Sequence, residues 1–128
     1  MMEYSIKKEV SIGFEEATQK LKEELAKEGF GILTQIDVKE TLYKKIGVNF
    51  DKYIILGACN PQFAHKALLN ERDIGLLLPC NGIVYEKENK IFVAMINPIV
   101  GMSFVENPSL EGIAKEVTKK LQRVIDNV

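Results

Sequence analysis

The side chains with the most distinctive chemistry in this chain are its two cysteines and its one histidine. Cys59 ends a continuous apolar run, His65 lies in the segment that follows, and Cys80 stands in a Leu-Pro-Cys-Asn sequence. Thiolates and a neutral imidazole are ligands that Zn²⁺ prefers, and three protein ligands leave a fourth position for water, substrate or a partner. One interpretation is therefore a zinc site formed by Cys59, His65 and Cys80. Asn60 and Asn81, which follow the cysteines, are further candidates for ligand binding.

The second interpretation is thiol chemistry centred on Cys59. We predict a helix that starts at Asn60 and Pro61, so Cys59 would precede the positive end of the helix dipole, where a thiolate is favoured. His65 would lie in the second turn of that helix, and one turn rises only about 5 Å, so the imidazole could reach the thiol. Cys59 would then be a nucleophile in redox chemistry or sulfur transfer, with Cys80 as its resolving partner.

The third interpretation gives these residues no chemistry. Free cysteines are often small apolar core residues, and a lone histidine on a helix is often only hydrogen-bonded there. The glycines do not form a phosphate loop or a dinucleotide fingerprint, and neither a Gly-x-Ser-x-Gly nor a His-Glu-x-x-His motif occurs. The sequence therefore names no reaction and no substrate, and an interaction module without chemistry stands beside the two chemical interpretations.

Residue periodicity predicts the elements that would position this site. Alternating polar and apolar residues predict a strand over 4–10, and apolar residues at three- and four-residue steps predict a helix from Phe14 that ends at Gly29. A second strand over 30–36 leads to Asp37, which would cap a short helix over 38–46.

The second half of the chain carries the predicted site. The β-branched run 53–59 predicts a strand buried on both faces or at the sheet centre, and a helix follows over 61–70. Apolar segments over 82–85 and 91–96 flank a polar turn and predict a β-hairpin. A further Asn-Pro pair at 107–108 opens a terminal amphipathic helix, whereas 99–106 has no assigned conformation. We expect strand end, helix start and hairpin entry to meet at one rim of the sheet.

Composition places the chain in one broad class. It has 128 residues and a formal net charge of -1, without a linker or a repeat, which predicts a single domain over 1–128. The lysines form isolated pairs instead of a basic stripe, so nucleic acid is an unexpected partner. No apolar run reaches the length of a membrane span and the first residues do not resemble a secretory signal, so we expect a cytoplasmic protein with reduced cysteines.

The order of predicted elements indicates an α+β fold with a mostly antiparallel sheet and helices on one face. The motifs Cys59-Asn60-Pro61, Ala64-His65 and Leu78-Pro79-Cys80-Asn81 resemble the family called domain of unknown function 302, and the resemblance covers nearly the whole chain. It implies a TATA-binding-protein-like β-α-β4-α fold and a homodimer. Many members have Gly in place of Cys59, so the resemblance implies a Cys59, His65 and Cys80 site for a subgroup only. The fold does not imply DNA binding.

Overall fold

The computed structural model describes residues 3–128. Within this range the chain folds into β1 (Ser5–Val10), α1 (Phe14–Lys27), β2 (Gly31–Asp37), α2 (Val38–Ile46), β3 (Tyr53–Cys59), α3 (Pro61–Asn70), β4 (Cys80–Lys87), β5 (Lys90–Ile96), α4 (Pro98–Gly101) and α5 (Glu111–Asp126). Short 3-10 helices over Arg72–Leu77 and Pro108–Leu110 precede β4 and α5. This arrangement is the predicted α+β fold.

The five strands form one sheet in the order β1-β5-β4-β3-β2, and every neighbouring pair is antiparallel. β4 is the central strand, and β1 and β2 are the edges. The run 53–59 was expected to be buried on both faces or at the sheet centre. β3 instead lies second from an edge, and its core face is buried while Tyr53, Ile55 and Cys59 on the other face are half-buried.

Helices α1 and α5 cover one face of the sheet. Their apolar stripes pack against alternate residues of the strands and form the main core, whose fully buried large side chains are Leu21, Leu25, Leu56, Val84, Val93, Met95, Leu121, Val124 and Ile125. Helix α1 starts after Gly13 with acidic residues in its first turn, and Gly29 follows its end with a φ of 86°. Acidic residues at the start and a left-handed glycine after the end are the predicted helix signals.

A second, smaller apolar cluster lies beside the main core. Its buried residues are Ala67 of α3, Ile74 of the first 3-10 helix and Leu110 of the second. Half-buried side chains complete it, namely Leu68, Leu77, Leu78, Met102, Val105 and Ile113. The segment 99–106, for which the sequence predicted no conformation, therefore packs together with residues 72–78 in this second cluster.

Within residues 3–128, none of the helices combines the length and the apolar character that crossing a membrane would require.

Candidate functional site

Cys59 and Cys80 lie close together at the predicted rim of the sheet. Cys80 opens β4 and pairs with Ala58 of β3, so Cys59 is its diagonal neighbour. Successive side chains of a strand point to opposite faces, which puts Cys59 on the face opposite Ala58 and Cys80. Cys80 belongs to the main core, Cys59 is half-buried, and both thiols are free.

The buried position of Cys80 controls its ionisation. Burial raises the pKa of the Cys80 thiol to about 11, and the nearby Cys59 adds to the rise because a second thiolate would repel the first. Near neutral pH the side chain is therefore a protonated, weakly polar thiol. A thiolate is the form that binds metal and attacks electrophiles, so this environment opposes both roles for Cys80.

His65 does not join the two cysteines. Helix α3 turns Phe63, Ala64 and Ala67 towards the core, whereas His65 lies on its exposed face. In the part of the chain that the structure describes, no group of three or more His, Cys, Asp or Glu side chains is arranged to hold a metal ion. The structure therefore brings two of the three predicted zinc ligands near each other and leaves the third outside.

The Asn60 side chain links two helices at the rim. It occupies the N-cap position of α3 but makes no side-chain cap hydrogen bond, and Pro61 begins the helix as expected. The Asn60 amide instead donates from Nδ2 to the carbonyl oxygen of Glu28 at 3.4 Å. It thereby joins the start of α3 to the end of α1, which fixes one wall of the rim.

An apolar cavity of about 40 Å³ lies at this rim, between the main core and the second cluster. Its wall contains Cys59, Asn60 and Cys80 together with Phe30 and apolar residues of β3, α3 and α5. It has no charged side chain in its lining. A cavity of this size holds about one water molecule, yet water needs polar partners that this lining scarcely offers.

Two larger cavities adjoin the first one. A cavity of about 260 Å³ lies between the first 3-10 helix, the start of β4 and the end of β5, and it is lined by Cys80 and Asn81. A third, of about 630 Å³, lies between the segment 98–110 and the start of α5. Pro98 and Met102 line all three cavities, so together the cavities surround one short segment of chain.

Sequence reasoning missed Pro98 and Met102. The predicted ligand-binding residues Cys59, Asn60, Cys80 and Asn81 line the first or second cavity, whereas His65 lines none of the three. The available signal was the Asn97-Pro98 pair, since an asparagine before a proline indicates the end of a strand and a cap or turn. That pair marks the start of the segment that covers the cavities.

A separate surface is notable for unburied apolar residues. Helix α2 has no buried residue, although Val38, Leu42 and Ile46 lie along one side of it. Large apolar side chains of β2, α2 and the following segment are exposed, namely Leu33, Ile36, Tyr43, Ile46, Val48 and Phe50. We call this set the α2 surface.

The fold defines the chain as an α+β protein with a five-stranded antiparallel sheet, two covering helices and a cavity-lined rim. A family model described as "Domain of unknown function DUF302" matches residues 6–128, and the chain belongs to this family. A crystal structure of an uncharacterized conserved DUF302 protein from Bacillus stearothermophilus is similar, with a TM-score of 0.91 and 34% identity over 97% of each chain. No curated protein matches the sequence.

Proposed function

We propose that the protein is a binding domain for a small, uncharged organic molecule held at the cavity-lined rim. The observation that carries this proposal is that three cavities adjoin one another around Pro98 and Met102. Ligand sites in proteins are mostly apolar, contain a few polar groups and have volumes of about 300–1,000 Å³. The cavities of about 260 and 630 Å³ fall near or within that range.

The chemistry of the lining favours an organic ligand over the predicted zinc ion. The two cavities that Cys80 lines contain no charged side chain, so an ion would lose its hydration there without compensation. The protonated thiol of Cys80 and the amides of Asn60 and Asn81 are the polar groups that could orient a neutral ligand.

The neutral fluorescent probe N-phenyl-1-naphthylamine tests this proposal. We expect its emission to rise and shift to the blue in the presence of the protein, with saturation near one probe per chain. Asn81→Trp should abolish most of the change, because position 81 is exposed at the edge of the second cavity and a bulky ring would fill the opening. Lys87→Trp is the matched control, since Lys87 is exposed at the other end of β4 and lines none of the three cavities. Equal binding by both variants would count against the proposal, and so would failure of the natural chain to bind either this probe or the smaller neutral probe indole.

A second proposal concerns assembly, and it is supported by the α2 surface. We propose that two copies of the chain associate through it. The edge strand β2 has no charged residue before Asp37, whereas the other edge, β1, carries Lys7, Lys8 and Glu9. Charged residues protect an edge strand from pairing, so β2 is the edge open to a partner.

The charges of α2 also suit a two-fold arrangement. Asp37 and Glu40 lie at its start, and Lys44 and Lys45 lie in its last turn. Two copies of α2 packed antiparallel would therefore place acidic residues beside basic ones at both ends, as a self-complementary interface requires.

Sedimentation velocity at micromolar concentration tests the assembly. We expect a dimer for the natural chain and a monomer for Ile46→Glu, because a charge buried in an apolar interface is costly. Leu69→Glu serves as the control, since Leu69 is equally exposed but lies on α3, outside the α2 surface. A monomeric natural chain, or a dimer that survives Ile46→Glu, would overturn this second proposal.

A further inference from the structure

Met102 has a special position among the residues that line the cavities. It follows α4, its side chain is half-buried, and it packs against the second apolar cluster. Its side chain stands where the cavities of about 40, 260 and 630 Å³ approach one another. Pro98 shares this position, but it is a buried, rigid ring at the start of the helix, whereas methionine has three rotatable side-chain bonds and adapts its shape.

The segment that carries Met102 is fastened at its two ends. At one end, the Asn97 Nδ2 donates to the carbonyl oxygen of Glu3 at 3.3 Å, and its Oδ1 accepts from the Thr118 hydroxyl at 3.4 Å. At the other end, the Asn107 Nδ2 donates to the carbonyl oxygen of Asn70 at 2.8 Å and to the Glu71 carboxylate at 3.0 Å.

Between these two asparagines the backbone is bonded only to itself. The hydrogen bonds of residues 98–106 found in the described chain all stay within 97–107, for example from the Met102 amide to the Pro98 carbonyl oxygen and from the Val105 amide to the Met102 carbonyl oxygen. Neither the sheet nor α5 is hydrogen-bonded to this stretch. A segment that is hydrogen-bonded to the rest of the fold only at its ends, and held between them by apolar packing, can move without breaking a ladder of hydrogen bonds.

From these observations we infer that Met102 is the specificity-determining residue of the site, the movable partition that decides how large a ligand the rim admits. With Met102 in its present position, the second and third cavities are separate. When its side chain turns aside, the three spaces join into one continuous site that is apolar next to Cys80 and polar at the mouth of the third cavity. This inference rests on the proposed binding of a neutral small molecule, and it adds which residue sets the size of that molecule.

The uncharged lining around Met102 commits the site to a neutral occupant. Leu78, Pro79 and Cys80 form the wall that the first two cavities share with Met102, and none of them is charged near neutral pH. A charged ligand group would have to remain at the mouth of the third cavity, where Glu106, Glu111 and Lys115 meet solvent. The part of the ligand that Met102 controls is therefore apolar.

Two neutral probes of different size test the inference, namely indole and N-phenyl-1-naphthylamine. Met102→Ala should join the cavities and tighten binding of the larger probe by about tenfold, which corresponds to about 1.4 kcal/mol, with little effect on indole. Met102→Trp should weaken binding of the larger probe by at least about tenfold. Phe104→Ala and Phe104→Trp are the matched controls, because Phe104 lies on the same segment, is exposed and lines none of the three cavities.

The outcomes separate this inference from the proposal beneath it. If the larger probe binds, Asn81→Trp blocks it and both Met102 variants bind like the natural chain, the site stands and Met102 is not its partition. If indole binds the natural chain and the larger probe binds only Met102→Ala, the site stands and Met102 is confirmed as its partition. If neither probe binds any of these proteins, both the site and the role of Met102 are overturned. Thermal unfolding of each variant distinguishes a loss of binding from a loss of folding.

Discussion

Cys59 and Cys80 lie on neighbouring strands one position out of register, because the direct partner of Cys80 is Ala58. The two cysteines therefore lie on adjacent strands, with their side chains on opposite faces of the sheet. This register therefore puts on opposite faces of the sheet two cysteine side chains that were predicted to share one site. The Cys80 side chain belongs to the core and Cys59 is half-buried, although both residues line the first cavity.

The first prediction concerns alkylation of the two thiols. Near pH 8, iodoacetamide should modify Cys59 much faster than Cys80, because the buried Cys80 is protonated with a pKa of about 11 and only thiolates react. Mass spectrometry of peptides after short labelling would measure the two rates. In denaturing urea the difference should disappear, and equal rates in the folded protein would contradict the burial of Cys80.

The second prediction follows from the same pKa. The folded-state pKa of Cys80 is raised from 9.0 to about 11, so in this interval the unfolded chain loses a proton that the folded chain keeps. The contribution of Cys80 to stability is thus intact below pH 9 and is lost as pH rises towards 11. Urea unfolding of the natural chain and of Cys80→Ala should show a smaller dependence on pH in the variant over this range. If the free energies of unfolding of the two proteins changed with pH in parallel, folding would not raise the pKa of Cys80.

The third prediction tests the packing around Gly57. A Cβ at this position would overlap the Thr34 Oγ1 and lie 2.8 Å from the Pro79 Cγ. Gly57→Ala should therefore lower the free energy of unfolding by about 1–3 kcal/mol, the usual cost of overpacking. Gly112→Ala is the control, because space is open around Gly112 in α5 and alanine favours a helix by up to about 1 kcal/mol. Urea unfolding would measure the free energy of unfolding of both variants. If Gly57→Ala left it unchanged, the side chains of Thr34 and Pro79 would have moved to make room for the new Cβ.

The fourth prediction concerns the ion pair between α1 and α5. The Arg123 guanidinium donates to both Glu28 carboxylate oxygens, at 3.1 and 2.9 Å, and this bonding lowers the pKa of Glu28 from 4.5. Because the pair is largely exposed to solvent, Arg123→Ala should lower the free energy of unfolding only slightly at pH 7. The lowered pKa means that this contribution is present above about pH 4.5 and is lost as pH falls through the folded-state pKa. A stability difference that persists in stronger acid would exclude ionisation of Glu28 as its source.

Periodicity predicted most of the fold because most elements carry a repeating pattern. Four elements lie within a residue or two of their expected bounds. They are the helices that start at Phe14 and Pro61, the strand 53–59 and the hairpin that ends at Ile96. The conformation of residues 72–78 and 99–106 could not be predicted in this way. They are apolar without a period, because their side chains pack on a second cluster formed by distant segments.

The site was only partly predictable for the same physical reason. Cysteine and histidine types indicate chemistry, but the side of a helix or strand on which each one lies depends on packing. His65 was placed correctly on α3, yet Phe63 and Ala67 take the inward face of that helix because they are apolar. Cavities have no sequence signature, since they arise where two clusters fail to fill the space between them.

The pairing of β1 with β5 determines when this domain can form during synthesis. Residues 5–10 find their strand partners only in residues 91–96, and Lys8 then donates from Nζ to the carbonyl oxygens of Asp126 and Val128 at 3.2 and 3.1 Å. A ribosome releases the chain from its first residues onward, so β1 must wait unpaired until nearly all later elements have emerged. Contacts between such distant residues also slow folding, and a nascent chain stalled before β5 would expose strand edges that invite aggregation.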